Sequence, residues 1–150
     1  MSLSWQTVLA IGIGGFLGSS ARAYAVQFTN KDVPIEFPLG ILLVNLIGSF
    51  VIGILFAYFS HYTVSINLKA LLTTGFLCGL TTYSTFAIES YLLFGTSIYL
   101  AFTNIVLNLF GTIIAAGSGY KLIHFILKEG IQKFFKHYIV IIIAKLNRRI

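Results

Sequence analysis

GLTTYSTFAIES, residues 79–90, places five serine and threonine side chains and two aromatic rings inside a long apolar region. Gly79 and the hydroxyl run that follows weaken an α-helix locally, because glycine is flexible and Ser and Thr side chains bond back to the backbone. A break there would free carbonyl groups that lipid cannot satisfy, so it must be buried in protein or line a cavity. We therefore predict a membrane helix interrupted near its middle, with carbonyls of the kind that transporters use for sodium.

Composition places this stretch in an integral membrane protein. Of the 150 residues, 57% are hydrophobic and 9% are charged, and the mean hydropathy is +0.93. A soluble domain of this length would need more charge on its surface. A bilayer core requires roughly 20 mostly apolar helical residues. Four segments meet this, so we predict an all-α protein with one four-helix domain over residues 1–122 and spans at 5–27, 38–59, 68–94 and 98–122.

Residues 123–150 differ in character, because basic and apolar residues alternate there. This pattern favours an amphipathic helix in the headgroup region, although a helix docked on a partner and a frayed tail are the alternatives. Charge placement sets the orientation in the plasma membrane, and the positive-inside rule predicts that both termini are cytoplasmic. One side would carry only Arg22 and Lys31; the other would carry Lys69, Lys121, Lys128, Lys133, Lys136, Lys145, Arg148 and Arg149.

The polar residues within the spans are mostly neutral. Asn45 and Ser49 share one helix face, and Asn104 and Asn108 repeat the same spacing on the fourth span. They could form hydrogen bonds between helices or line a path for a small solute that sheds water. Two small-xxx-small pairs, at Gly14 and Gly18 and at Gly75 and Gly79, predict close helix packing.

The two rings in the hydroxyl run have two possible roles. Tyr83 and Phe86 are three residues apart, so their rings approach one side of a helical turn. They could simply pack, or their positive edges could hold an anion without a full charge. We expect no enzymatic activity, because Cys78 has no histidine nearby in the sequence. His61, His124 and His137 also lack metal-ligand spacing.

Three motifs stand out in the sequence: GGFLGSSARAY at residues 14–24, NLIGSFVIG at 45–53 and GFLCGLTTYSTFAIES at 75–90. They resemble the signature segments of the fluoride channel family, known as Fluc or CrcB. The resemblance covers roughly residues 5–120. It implies small four-helix subunits that assemble as antiparallel dimers, export fluoride passively through two pores along the subunit interface, and hold a structural sodium ion at the dimer centre.

The resemblance also implies roles for individual residues. Asn45 resembles the pore asparagine that donates to fluoride, and Phe86 resembles the second ring of a phenylalanine pair whose first position is Tyr83 here. The sodium would be bound mainly by the carbonyls of Cys78 and Thr81. The remaining residues that match family positions are Gly79 and Thr82 in the break, Ser84 and Thr85 beside the pore, Arg22, Glu89, and Tyr99 and Thr103 near the polar track of the fourth span.

Two departures from the family pattern suggest a hypothesis about assembly. Homodimeric members have almost no charge bias, whereas this chain is strongly biased, and Tyr83 breaks the ring pair. The chain could be one half of a heterodimer with an oppositely inserted partner. Alternatively, it could form a homodimer in which the C-terminal tail has little influence on the orientation in the membrane. The expected partners are fluoride, a second subunit and lipid, with no nucleic acid. A small multidrug transporter would need a carboxylate in the first span, which has none; a non-conducting accessory subunit would not explain the clustered hydroxyls and rings.

Overall fold

The computed structural model describes residues 3–30 and 37–128, and these residues form helices joined by short links. Helix α1 is Trp5–Asn30 and α2 is Leu39–His61. Residues 66–96 form the third span, and the fourth span is the single long helix α5, Ile98–Lys128. All four spans are long and apolar enough to cross a membrane. The prediction of an all-helical protein with four membrane spans is therefore confirmed.

The third span consists of two helices that meet at an irregular point. Helix α3 covers residues 66–80 and comprises α-helical Ile66–Ala70, π-helical Leu71–Leu77 and the short turn Cys78–Leu80. Helix α4, Tyr83–Thr96, follows after two residues. The fourth span contains a second π-helical segment, Leu107–Gly111. Such wide turns occur in α-helices mostly as local insertions, and often at functional sites.

Glycines allow α1 and α3 to pack with their backbones almost in contact. A Cβ atom on Gly14 would overlap the carbonyl oxygen of Leu71, and one on Gly18 would overlap that of Phe76. A Cβ on Gly75 would lie 2.8 Å from the carbonyl oxygen of Ile11. The sequence predicts a close approach of backbones at each small-xxx-small pair, and the structure shows that the two pairs pack against each other. Van der Waals contact at this distance is the main force between helices in lipid.

The helices extend beyond the apolar stretches that identify them. The first is predicted to end at residue 27 but continues to Asn30, where the Thr29 hydroxyl donates to the carbonyl of Ala25 at 2.7 Å. The fourth is predicted to end at residue 122 but continues to Lys128. Hydropathy detects where apolar residues stop, whereas a helix continues into the headgroup region as long as its backbone bonds are made. Of the predicted interfacial extension, residues 123–150, the first six residues continue α5, and residues 129–150 lie outside the described residues.

Candidate functional site

The site begins at Thr81 and Thr82, which separate α3 from α4. Thr81 has φ −85° and ψ 156°, and Thr82 has φ −151° and ψ 120°, so both are extended. The Thr82 hydroxyl accepts the backbone N–H of Thr85 at 3.3 Å. This is an N-cap, in which a side-chain oxygen satisfies an amide that no preceding turn can reach. One hydroxyl of the run therefore starts the next helix.

Asn45 on α2 supplies hydrogen-bond partners to the backbone of Thr82, which lacks helical partners at the interruption. Its Oδ1 accepts the Thr82 N–H at 2.9 Å, and its Nδ2 donates to the Thr82 carbonyl at 3.2 Å. The side-chain amide thus makes hydrogen bonds to both the N–H and the carbonyl of Thr82, as the backbone of a neighbouring β-strand would. In a continuous helix the Thr82 N–H would donate to the carbonyl of Cys78. That carbonyl is therefore released from the helical ladder.

A buried chain of amides joins Asn45 to α5. Asn45 donates its second N–H to Oδ1 of Asn108 at 2.9 Å, and Asn108 donates to Oδ1 of Asn104 at 2.9 Å. Asn104 donates to the Ser90 hydroxyl at 2.9 Å, which in turn donates to the carbonyl of Phe86 at 2.8 Å. Asn104 is 0% exposed and Asn108 is 4% exposed. Because each amide is satisfied by the next, α2, α4 and α5 are held in one register.

A groove of about 260 Å³ opens beside this chain. Its walls combine neutral polar groups, two aromatic rings and two aliphatic side chains, and no lining residue is charged. They are Asn45, Ser49, Thr81, Thr82, Tyr83, Phe86, Asn108, Leu109, Thr112 and Ile113. A second cavity of about 90 Å³ lies near the same point and shares Ser49 and Thr81 with the groove. The space suits a small, at least partly dehydrated solute that is held by hydrogen bonds and ring edges.

The two aromatic residues of the hydroxyl run meet as the sequence predicts. The ring centroids of Tyr83 and Phe86 are 5.3 Å apart, with planes at 72°, so one ring presents its edge to the other. Phe86 is 7% exposed, whereas Tyr83 is 76% exposed. Phe86 is therefore fixed by packing inside the chain, while Tyr83 forms the outer wall of the groove.

The oxygens predicted to bind sodium lie at the interruption. Cys78 is exposed, and its carbonyl is the one released from the helical ladder. The Thr81 carbonyl accepts a hydrogen bond from Nη1 of Arg22 at 3.3 Å. Carbonyl oxygens are the ligand type that Na⁺ takes from unwound helices. The two carbonyl oxygens are therefore chemically suited to bind a sodium ion. One of them, that of Thr81, also accepts the hydrogen bond from Arg22.

Other predicted residues lie at varying distances from the groove. Ser84 and Thr85 place their hydroxyls 3.3 and 3.1 Å from the Thr82 hydroxyl but do not line the groove. Tyr99, which is 83% exposed, and Thr103, which is also exposed, are not among the residues that line the groove. Glu89 has one carboxylate oxygen, Oε2, that is buried without a hydrogen-bond partner among the described residues.

The fourth span contributes through a different face than expected. Asn108 and Thr112 line the groove, one helical turn apart, while Thr103 is exposed and is not among the groove residues. The Thr112 hydroxyl donates to the carbonyl of Asn108 at 2.6 Å. The sequence carried a signal for this face in the i, i+4 spacing of Asn104, Asn108 and Thr112. Spacing alone did not show that this face meets Asn45.

Comparison with known proteins identifies the family. A family model described as "CrcB-like protein, Camphor Resistance (CrcB)" matches residues 9–120. The fluoride-specific ion channel FluC of Sulfurimonas denitrificans is 53% identical over 123 residues, which cover 81% of this chain and 95% of that protein. The protein of the same name from Nautilia profundicola is 44% identical over 84% of this chain and its own full length. That from Campylobacter lari is 45% identical over 76% of this chain and 94% of its own. Because the family model matches most of the chain, reaches into all four spans and contains every residue of the groove, the chain belongs to the CrcB family.

Proposed function

We propose that this multi-pass membrane protein is a fluoride-specific ion channel that lets F⁻ leave the cytoplasm down its electrochemical gradient. The observation that carries the proposal is the uncharged groove beside the interruption, which is lined by amide, hydroxyl and ring groups. The relatives named as fluoride-specific channels support the identity of the ion.

The absence of charge in the groove walls is suited to conduction. A fixed positive charge would hold a small anion too tightly to release it, whereas several weak sites allow it to enter and leave. The Ser49 hydroxyl makes no hydrogen bond to another described residue, so it is free to donate. Both N–H groups of Asn45 are used within the chain. We expect Asn45 to donate to fluoride by exchanging the longer of these bonds, the 3.2 Å bond to Thr82.

Replacing Phe86 with isoleucine tests the role of the ring edge. Isoleucine keeps most of the buried volume but lacks the positive edge that attracts an anion. We expect the rate of fluoride efflux from proteoliposomes to fall about two- to tenfold, since ring contacts contribute roughly 0.5–1.5 kcal/mol and each 1.4 kcal/mol is about a factor of ten. Efflux is measured with a fluoride electrode after a potassium ionophore is added to KF-loaded vesicles.

The matched control is Phe102→Ile, because Phe102 also packs edge-on against a phenylalanine, Phe94, but lies outside the groove. This variant should conduct like the parent chain. Equal efflux from the Phe86 variant and the parent would remove the ring from the proposed pathway. A parent chain that releases chloride as fast as fluoride would contradict the proposed function itself.

We further propose that two subunits meet at their interruptions in an antiparallel dimer and hold one sodium ion between them. One chain offers the released carbonyl of Cys78 and the shared carbonyl of Thr81, which is too few ligands for a complete shell. A second chain would supply the rest. The exposed position of Cys78 supports contact with a partner at this point.

Cross-linking through Cys78 tests this arrangement, since it is the only cysteine of the chain. A short bis-maleimide should give a covalent dimer from the detergent-purified protein, and the yield should fall when Na⁺ is replaced by N-methylglucamine. Cys78→Ser is the control and should give no dimer. A yield that is the same with and without Na⁺ would argue against a sodium ion at the contact.

The partner is either a second copy or an oppositely oriented paralogue. The uneven distribution of basic residues supports a single orientation with cytoplasmic termini. Protease digestion of a C-terminal tag in sealed right-side-out vesicles tests that orientation, because only an external tag would be cut. Fluoride efflux from liposomes that contain only this chain distinguishes between the two partners. Robust efflux would exclude a paralogue as an obligatory partner.

A further inference from the structure

The ends of α2 and α5 bring together two histidines that are 63 residues apart in the sequence. Nε2 of His61 and Nδ1 of His124 are separated by 3.1 Å. His61 is the last residue of α2, and His124 lies near the end of α5. His61 is 12 residues from Ser49, and His124 is 11 residues from Ile113, the nearest groove residues on the same helices, so the proposed conduction pathway does not use the pair.

The separation of the two nitrogens suits a shared metal ion. Imidazole nitrogens bind first-row metals at about 2.0–2.1 Å, so a 3.1 Å separation corresponds to an angle at the metal of roughly 95–102°. This lies between the right angle of square-planar complexes and the tetrahedral angle. The two nitrogens are therefore already at a suitable distance, and each ring would turn so that its lone pair, now directed along the shared hydrogen bond, points at the metal.

The surroundings of the pair support an exchangeable site. The ring of Tyr120 stacks on His124 with centroids 5.9 Å apart and planes at 10°, which restrains the imidazole. His124 is exposed and His61 is partly exposed, so an ion can reach them from water. No group of three or more His, Cys, Asp or Glu side chains suited to a metal occurs within residues 3–30 and 37–128. Water would therefore complete the coordination.

We propose that His61 and His124 form a binding site for a divalent transition metal that imidazole prefers, with Zn²⁺ as the probe ion. At present one of the two facing nitrogens carries the hydrogen of the shared bond. On metal binding both facing nitrogens use their lone pairs, and each neutral ring keeps its hydrogen on the other nitrogen. The step is a change of tautomer and releases no net proton. The bound ion would link the ends of α2 and α5.

Isothermal titration of the full chain with ZnCl₂ at pH 7.5 tests the proposal, using protein purified in detergent with a tag that contains no histidine. We expect one saturable site per chain. His61→Gln and His124→Gln should each weaken binding about 100-fold, because a second ligand already in place acts at a high effective concentration. Glutamine keeps hydrogen-bonding groups at the position, which limits disturbance of the fold.

His137→Gln is the control and should bind Zn²⁺ as the parent chain does. Electron paramagnetic resonance of the Cu²⁺-loaded parent protein provides a second measurement that does not depend on any variant folding. Its hyperfine pattern should show two imidazole nitrogens. Equal Zn²⁺ affinity in the parent and both glutamine variants, or a Cu²⁺ spectrum without two nitrogens, would overturn the proposal.

Discussion

Replacing Asn45 with aspartate is expected to abolish fluoride efflux. The carboxylate has no hydrogen to donate, so two bonds become contacts between acceptors: the 3.2 Å bond to the Thr82 carbonyl and the 2.9 Å bond to Asn108. Asn108 cannot turn its amide to compensate, because its own Nδ2 donates to the carbonyl and to Oδ1 of Asn104. The Thr82 N–H is the only one of these partners that a carboxylate still satisfies.

Charge makes the effect larger. A negative charge about 4 Å from a passing anion costs about 4 kcal/mol at an effective dielectric constant of 20. Since each 1.4 kcal/mol is about a factor of ten, efflux should fall by about 10³. A carboxylate within a span also costs up to roughly 2.5–3.5 kcal/mol, the value at the centre of a span, and part of this cost will appear as lower stability. The efflux rate and the elution profile in detergent together separate the two effects.

Asn67→Asp provides the matched control for this substitution. Asn67 lies outside the groove and uses its Oδ1 to accept the Thr7 hydroxyl at 2.8 Å, a role that a carboxylate oxygen can keep. The control should have the same elution profile in detergent and the same rate of fluoride efflux as the parent chain. If the Asn45 variant also conducted like the parent, Asn45 would not belong to the conduction pathway, and conduction would not depend on its bonds to Thr82.

Replacing Gly18 with alanine is expected to cause a large loss of stability from a single methyl group. The new Cβ would overlap the carbonyl of Phe76 and lie 2.9 Å from the backbone nitrogen of Leu80. Overpacking a core usually costs about 1–3 kcal/mol, and this case falls at or above the upper end, because both obstacles are backbone atoms. Thermal unfolding in detergent, followed by the fluorescence of Trp5, measures the change.

Gly12→Ala is the control on the same helix. A Cβ at Gly12 meets no heavy atom within 4 Å among the described residues. Alanine also stabilises a helix by about 1 kcal/mol relative to glycine, so the midpoint temperature of thermal unfolding should be unchanged or higher. Similar losses from both substitutions would show that helix α1 is sensitive to any added methyl group and not to its contact with α3.

Some features of the site could be predicted because they depend on neighbours along one helix. The ring pair follows from three-residue spacing, and each glycine pair from four-residue spacing. The exact lining of the groove could not be predicted in this way. Thr103 and Asn104 are adjacent in the sequence, yet one is exposed and the other is completely buried. Which face turns inward is decided by the helices that pack against α5.

Asn45 is a second case in which the sequence did not show what a side chain contacts. Its position in a polar face was evident, but whether it lines a path or bonds to other helices was open. The structure shows it bonded to both Thr82 and Asn108, which are 37 and 63 residues away. These bonds occupy all of its donors, so its proposed contact with fluoride requires one of them to open.

Hydropathy and short motifs are local properties that lipid and backbone chemistry constrain directly, so the class of protein, the number of membrane spans and the family could be inferred from the amino-acid sequence alone. Which side chains meet was visible only in the folded structure. It joined α2, α4 and α5 through the chain of amides, matched the glycines of α1 to those of α3, and brought His61 to His124. Each of these contacts depends on the rotation and register of packed helices, which result from all their contacts together.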